Sequence, residues 1–169
     1  TENPYHKPPL SKAYLTGAAA DAQPLRAGVF FEQNGIERLS GTRVSAIDPT
    51  GQLITLANGR VLPFGHLILA TGSTARRLNV PGSDLHGIYQ LRTKADAQIL
   101  RDAFTGARRA VIIGAGFIGL EFAAVAATRG IETTVIEASD AILKRALSRP
   151  MAEYLYERHR AAAVTFRFQ

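Results

Sequence analysis

Apolar and polar positions fall in short runs up to about residue 73, then shift to a longer rhythm. Residues 36–39, 43–47, 53–56 and 60–62 each have strand length and composition. Asn58-Gly59, between the last two, predicts a tight hairpin, because Asn and Gly accept the positive φ angles such a turn needs. Pro8-Pro9 fixes an extended approach, and Ser11 is placed to cap a short helix through Leu15. Residues 27–33 suggest another short helix, ended by Asn34-Gly35. His66-Leu67-Ile68-Leu69-Ala70 is an apolar run that stops at Thr71-Gly72-Ser73. It predicts a buried strand emptying into a functional loop.

Beyond that loop the pattern becomes strand, helix, strand, helix, strand. Thr93 predicts the cap of a helix through Phe104, closed by Gly106. Ala110-Val111-Ile112-Ile113 reads as a buried parallel strand, and a glycine-rich turn leads from it into a helix through Thr128. A strand over 133–136 follows, then a helix opened by Ser148 and Pro150, then a terminal strand. This order predicts an α/β fold: a parallel sheet with right-handed crossover helices, plus a small antiparallel β portion from the first half. The turn-rich stretch around Pro81-Gly82-Ser83 predicts two domains, residues 1–73 and 74–169.

Composition narrows the chemistry. The 169 residues contain no cysteine, which excludes a disulfide scaffold, a thiolate zinc site, a cysteine nucleophile and a Cys-x-x-Cys pair within them. His6, His66, His86 and His159 show no ligand spacing, so no metal is expected. No G-x-S-x-G elbow or G-x-x-x-x-G-K-[ST] loop occurs. No apolar stretch reaches the roughly eighteen residues of a spanning helix, and there is no signal-peptide pattern; no membrane partner and a cytoplasmic location are expected. The chain opens Thr1-Glu2-Asn3-Pro4 and closes on a strand-like run, which suggests an internal piece of a longer protein.

The net charge of +6 is uneven: six Lys/Arg stand against five Asp/Glu in residues 1–73, and fourteen against nine in 74–169. A basic half suits an anionic ligand or an acidic protein, or is simply a solvated surface. The cations are scattered and no aromatic residues interleave with them, so no nucleic-acid partner is expected.

The sharpest motif is Gly114-Ala115-Gly116-Phe117-Ile118-Gly119, directly after a predicted strand and directly before a predicted helix. Gly114 permits the tight turn, Gly116 lets the backbone approach a pyrophosphate, and Gly119 lets helix and strand pack closely. The helix N-terminus offers free N–H groups and a partial positive charge to the phosphates. Glu137 closes the second strand, where a carboxylate accepts hydrogen bonds from ribose hydroxyls and repels a 2′-phosphate. Ala138-Ser139-Asp140 supplies no arginine for such a phosphate, so NADH is expected over NADPH. Lys144 and Arg145 lie beyond the strand end, within reach of the nucleotide or on the surface. The alternative is a structural glycine turn in a nucleotide-free α/β domain.

Three segments then carry a family resemblance. Pro4-Tyr5-His6-Lys7-Pro8-Pro9-Leu10-Ser11-Lys12 resembles the segment after the first βαβ unit of flavin-dependent, NADH-using ferredoxin reductases. These are the putidaredoxin, rubredoxin and biphenyl-dioxygenase reductase group of the pyridine nucleotide-disulfide oxidoreductase superfamily. Leu67-Ile68-Leu69-Ala70-Thr71-Gly72 resembles the Ala-Thr-Gly motif of two-dinucleotide flavoproteins, and Gly114 to Glu121 resembles their NADH motif. The resemblance implies a Rossmann-type, three-layer FAD/NAD(P)-binding fold. Residues 1–73 would be the latter part of an FAD-binding domain whose first dinucleotide motif is missing. Residues 74–169 would be most of an NADH-binding domain. Glu2 would lie near the FAD ribose acid, at a spacing too short to assign it a role.

The same resemblance implies residue roles. Lys12 would lie by the flavin N5 and pair with Glu121; an ammonium there stabilises the negative charge that arriving hydride builds. Glu121 would also hold the nicotinamide carboxamide, so that the two rings stack. Val44 would meet the adenine of FAD by its backbone, Thr71 and Gly72 would approach the FAD, and Arg76 would contact the flavin. Phe117 and Ile118 would border the nicotinamide. Read without the resemblance, Lys12 is a helix-surface lysine and Glu121 a first-turn acid favoured by the helix dipole. Taken together, the expectation is an NADH-dependent FAD flavoprotein that passes hydride to FAD and single electrons to a small acidic iron–sulfur carrier, ferredoxin-like. The missing cysteines favour that over a disulfide reductase. The alternatives are a non-catalytic NADH-binding module and a redox-signalling flavoprotein fragment.

Overall fold

The computed structural model describes residues 3–169; Glu2 lies outside the described residues. The chain forms two compact units. One comprises the described residues up to Tyr5 with Pro24–Thr74, the other His6–Gln23 with Ala75–Gln169.

The second unit begins with a 3-10 turn, Pro8–Ser11, followed by a short helix α1, Ala13–Thr16. Ser11 does not cap α1 as the sequence suggested. Lys12 takes the cap position with no side-chain hydrogen bond, while the buried Ser11 hydroxyl turns toward Glu121. The last four carbonyls of a helix have no internal partner. In α1 they are met by Ala19 and Gly17 N–H on Ala13 and Tyr14, and by the Arg129 guanidinium on Leu15 and Thr16.

The first unit holds α2, Gly28–Gln33, and an antiparallel sheet of β1, Val44–Asp48, β2, Leu53–Leu56, and β3, Val61–Pro63. Asn58-Gly59 makes the β2–β3 turn, with Gly59 at φ 85° and Leu56 N–H donating to the Arg60 carbonyl at 2.9 Å. Strand β1 carries a bulge between Val44 and Ala46. Two expected strands are absent. Residues 36–39 are irregular, and residues 66–70 are unpaired and exposed, with Ile68 88% exposed. An apolar run becomes a buried strand only beside a neighbouring strand and under a covering layer, and no described residue pairs with this one.

The remaining elements of the second unit are α3, Lys94–Ala103; β4, Arg109–Ile113; α4, Phe117–Thr128; β5, Glu132–Glu137; α5, Arg149–Ala161; and β6, Val164–Phe168. Thr93 caps α3 through a reciprocal pair: its Oγ1 accepts from Asp96 N–H and Asp96 Oδ2 accepts from Thr93 N–H. The sheet is parallel in the order β4-β5-β6, with Ile112 opposite Val135 and Val135 opposite Phe166. In open parallel sheets ligands generally bind outside the carboxyl ends of the strands.

Apart from Glu121, helix α4 is apolar over most of its surface because it lies between two cores. Leu120 and Ala123 join Val135, Ile142, Leu143, Ala152 and Val164 on one side. Val125 and Ala126 join Leu15, Leu100, Phe104 and Ile131 on the other. Ala123 and Ala126, both fully buried, let the helix approach its neighbours closely. Among the described residues, no helix is long and apolar enough to cross a membrane.

Candidate dinucleotide and charge-pair site

The glycine motif forms the turn between β4 and α4. Gly114 sits at φ 101°, a conformation that strains any residue with a Cβ, and its N–H donates to the Ile136 carbonyl at 2.8 Å. A Cβ built on Gly119 would overlap the Gly114 carbonyl oxygen and press on Ile112 Cγ2 at 3.2 Å, so close strand–helix packing is what requires that glycine. Gly116 differs. A Cβ there meets nothing within 4 Å, and its extended φ of −82° suits any residue. No contact inside the protein requires Gly116. It borders open space at the start of α4, where the first-turn N–H groups precede the first intrahelical bond, Leu120 to Gly116.

Glu137, at the carboxyl end of β5, reaches back to this turn. Its Oε2 accepts from Ala115 N–H at 2.7 Å, and its Oε1 accepts from Ser139 N–H at 2.9 Å and Ser139 Oγ at 2.5 Å. Desolvation pushes the carboxyl up, but the hydrogen bonds from Ser139, Ala115 and Ala138 outweigh it and hold Glu137 below the ordinary glutamate value. Leu143 N–H also donates to the Ala115 carbonyl at 3.0 Å, so the segment after β5 is stitched to the turn. Glu137 thus ties the glycine turn to the segment that follows β5.

The second constellation lies on the same unit. Lys12 Nζ stands 2.7 Å from Glu121 Oε1, and Ser11 Oγ donates to Glu121 Oε2. The Lys12 side chain is 56% exposed and that of Glu121 30%. A cavity of about 250 Å³ opens beside them, lined by Lys7, Leu10, Leu91, Arg92 and Ile118 as well. Glu121 therefore does more than offset the helix dipole: α4 aims it at the 3-10 turn. Phe117 and Ile118 are half exposed, not core residues of a helix start.

The structure thus brings Lys12, Ile118 and Glu121 to one cavity, and Glu137 to the turn of Gly114, Gly116 and Gly119. Val44, Thr71 and Gly72 belong to the other unit and are exposed there, Gly72 at φ 73°. Arg76 and Arg145 are exposed, and among the described residues no hydrogen bond ties them to either constellation. Lys144 pairs with Asp140 at 2.6 Å. Sequence reasoning missed Ser11 as a partner of Glu121 and missed the Glu137–Ala115 bond. Both depend on residues brought together by the fold, and no local pattern marks them. Among the described residues no group of His, Asp or Glu is placed to hold a metal ion.

Comparison with known proteins bears on this geometry. Residues 1–169 match the family model described as pyridine nucleotide-disulphide oxidoreductase. The chain is 40% identical over 167 residues to a ferredoxin–NAD(P)(+) reductase of a Sphingomonas species, a match covering 98% of this chain and 40% of that protein. It is 41% identical over 165 residues to the rhodocoxin reductase of Rhodococcus erythropolis, covering 97% of this chain and 39% of that protein. The crystal structure of a ferredoxin reductase from Rhodopseudomonas palustris superposes with a TM-score of 0.94 at 38% identity, over 99% of this chain and 42% of that one. The chain spans about 40% of the length of these relatives.

Proposed function

The chain belongs to the pyridine nucleotide-disulphide oxidoreductase family, and from that premise we propose that it is the NADH-binding part, with a portion of the FAD-binding part, of a ferredoxin reductase. The reaction is transfer of hydride from NADH to FAD, followed by single-electron transfer to a small, acidic iron–sulfur carrier. A cytoplasmic location is part of the same proposal. The observation that carries it is the Lys12–Glu121 ion pair beside a cavity on the same unit as the glycine turn.

The residues around the glycine turn suit NADH. The open space over Gly116 and the first-turn N–H groups of α4 suit the NADH pyrophosphate, with Glu137 on the adenosine ribose. Arg145 is near enough in sequence to reach the nucleotide. Val44, Thr71, Gly72 and Arg76 would serve FAD, and Phe117 and Ile118 would border the nicotinamide. When bound, FAD supplies the hydride acceptor and the step from paired to single electrons. Lys12 would hold positive charge where a bound acceptor gains negative charge, with Glu121 fixing the ammonium in place. Leu10, Leu91 and Ile118 give the cavity an apolar portion of wall beside the charged Lys7, Lys12, Arg92 and Glu121. The absence of cysteine from these residues favours an external electron carrier over a disulfide.

A further reading is an NADH-binding module without turnover, since the glycine turn and Glu137 lie together on one unit. The visible absorption spectrum of the chain, before and after anaerobic NADH, separates the two. A flavin band bleached by NADH, with reduction of a dye acceptor, supports the reductase. A colourless chain that binds NADH supports the module. A chain that binds neither NADH nor flavin overturns both.

A further inference from the structure

We propose that Ser11 is a positioning residue for Glu121: its hydroxyl fixes the plane of the carboxylate, so that the remaining lone pairs face the cavity and accept from an amide N–H of the ligand. The identity of that ligand rests on the reading above, in which it is the carboxamide of NADH.

Ser11 is only 6% exposed, and its Oγ lies within bonding distance of two acceptors, Glu121 Oε2 and, at 3.3 Å, the Pro8 carbonyl. A hydroxyl carries one proton, and an ionised acceptor binds it more strongly than a neutral carbonyl, so the proton goes to Glu121. The other carboxylate oxygen meets Lys12. A lysine ammonium is a compact charge on a flexible stem with three rotatable donors, and this one is half exposed. It holds the charge of Glu121 without setting its rotation. The Ser11 hydroxyl comes from the buried end of a backbone turn and does set it. That turn is held by its own backbone bonds, Leu10 N–H to the Lys7 carbonyl at 3.0 Å and Lys12 N–H to the Pro9 carbonyl at 3.1 Å. Loss of the hydroxyl therefore leaves the turn in place and removes only the grip on Glu121.

The test is calorimetric binding of NADH and of its reduced 3-acetylpyridine analogue, which carries a methyl ketone in place of the carboxamide and so has no N–H to donate. The proteins are the full chain and its Ser11→Ala and Ser11→Thr variants. The wild type is expected to prefer NADH. Ser11→Ala is expected to cut that preference by about fivefold, the scale of a weakened hydrogen bond to a charged group, and Ser11→Thr to restore most of it. A purely structural serine would lower both affinities together and leave their ratio unchanged, and an unchanged ratio overturns the proposal. A wild type that binds both ligands equally also overturns it while leaving the dinucleotide reading intact. A wild type that binds neither overturns both.

Discussion

Arg129 Nη2 donates to the carbonyl oxygens of Leu15 at 3.1 Å and Thr16 at 2.9 Å, while its guanidinium lies 4.7 Å from the centroid of Phe104. The residue just past the end of α4 thereby closes α1, the helix that follows Lys12. Arg129→Ala leaves two helix-terminal carbonyls to solvent and removes the ring contact. The expected cost is about 1 kcal/mol, since the guanidinium is exposed and a single hydrogen bond contributes on that scale. Arg129→Lys should recover only part, because an ammonium lacks the planar stack. Urea unfolding of the three proteins measures it.

Leu15 is fully buried against Leu100, Phe104, Val125, Ala126 and Ile131. Leu15→Ala is expected to destabilise by about 2–5 kcal/mol, the usual range for a leucine removed from a packed core. A loss under about 0.5 kcal/mol in denaturant unfolding, the level of an ordinary surface change, would mean that the segment His6–Gln23 is not docked.

Gly116 and Gly119 separate binding from folding. A Cβ at Gly116 meets nothing within 4 Å, so Gly116→Val should leave the melting temperature near that of the wild type while abolishing NADH binding. Gly119→Ala collides with backbone that cannot yield and should cost about 2 kcal/mol, the order of an overpacked core. Melting curves and NADH titration of both variants are the check. Normal NADH affinity in Gly116→Val would remove the glycine turn from the function.

Glu137 bonds both the glycine turn and Ser139, so its loss acts on stability and on selectivity. The carboxyl is held below its ordinary value, so its contribution is fully present above the unfolded glutamate value and is lost as pH falls through the lower folded one. The melting-temperature gap between wild type and Glu137→Ala should be constant near neutrality and close in acid. At neutral pH the variant should bind NADH more weakly and discriminate less against NADPH; unchanged selectivity would count against a ribose role.

In a complete enzyme, Lys12→Ala should slow flavin reduction more than it weakens NADH binding. Stopped-flow reduction at several NADH concentrations distinguishes the two, and equal losses would contradict placement of the ammonium beside the hydride acceptor.

What was legible in the sequence is what depends on neighbours along the chain. The Asn58-Gly59 hairpin, the Thr93 cap, and the run from β4 through Gly114–Gly119 to Glu137 each carry their cause within a few residues or one βαβ unit. The errors arise where distant residues decide. Ser11 reads locally as a helix cap, but its hydroxyl donates instead to a carboxylate 110 positions away. Residues 66–70 have the composition of a buried strand, yet strand formation needs a partner that no described residue provides. Arg129 carries no motif at all, and its role appears only when α1 packs beside α4.

The excursion of the chain from His6 to Gln23 is closed at its base by His6 N–H donating to the Gln23 carbonyl at 2.8 Å. Everything it carries, from the lysine and serine at Glu121 to the leucine in the α3–α4 core, belongs to a unit whose other residues begin only at Ala75. Dissection of the gene at the composition boundary would therefore part an acid from its base. A piece starting at Ala75 would keep Glu121 while losing both groups that hold it, and would open an apolar socket where Leu15 sits. A usable excised module has to be spliced, with residues 6–23 joined ahead of residue 75, not simply truncated.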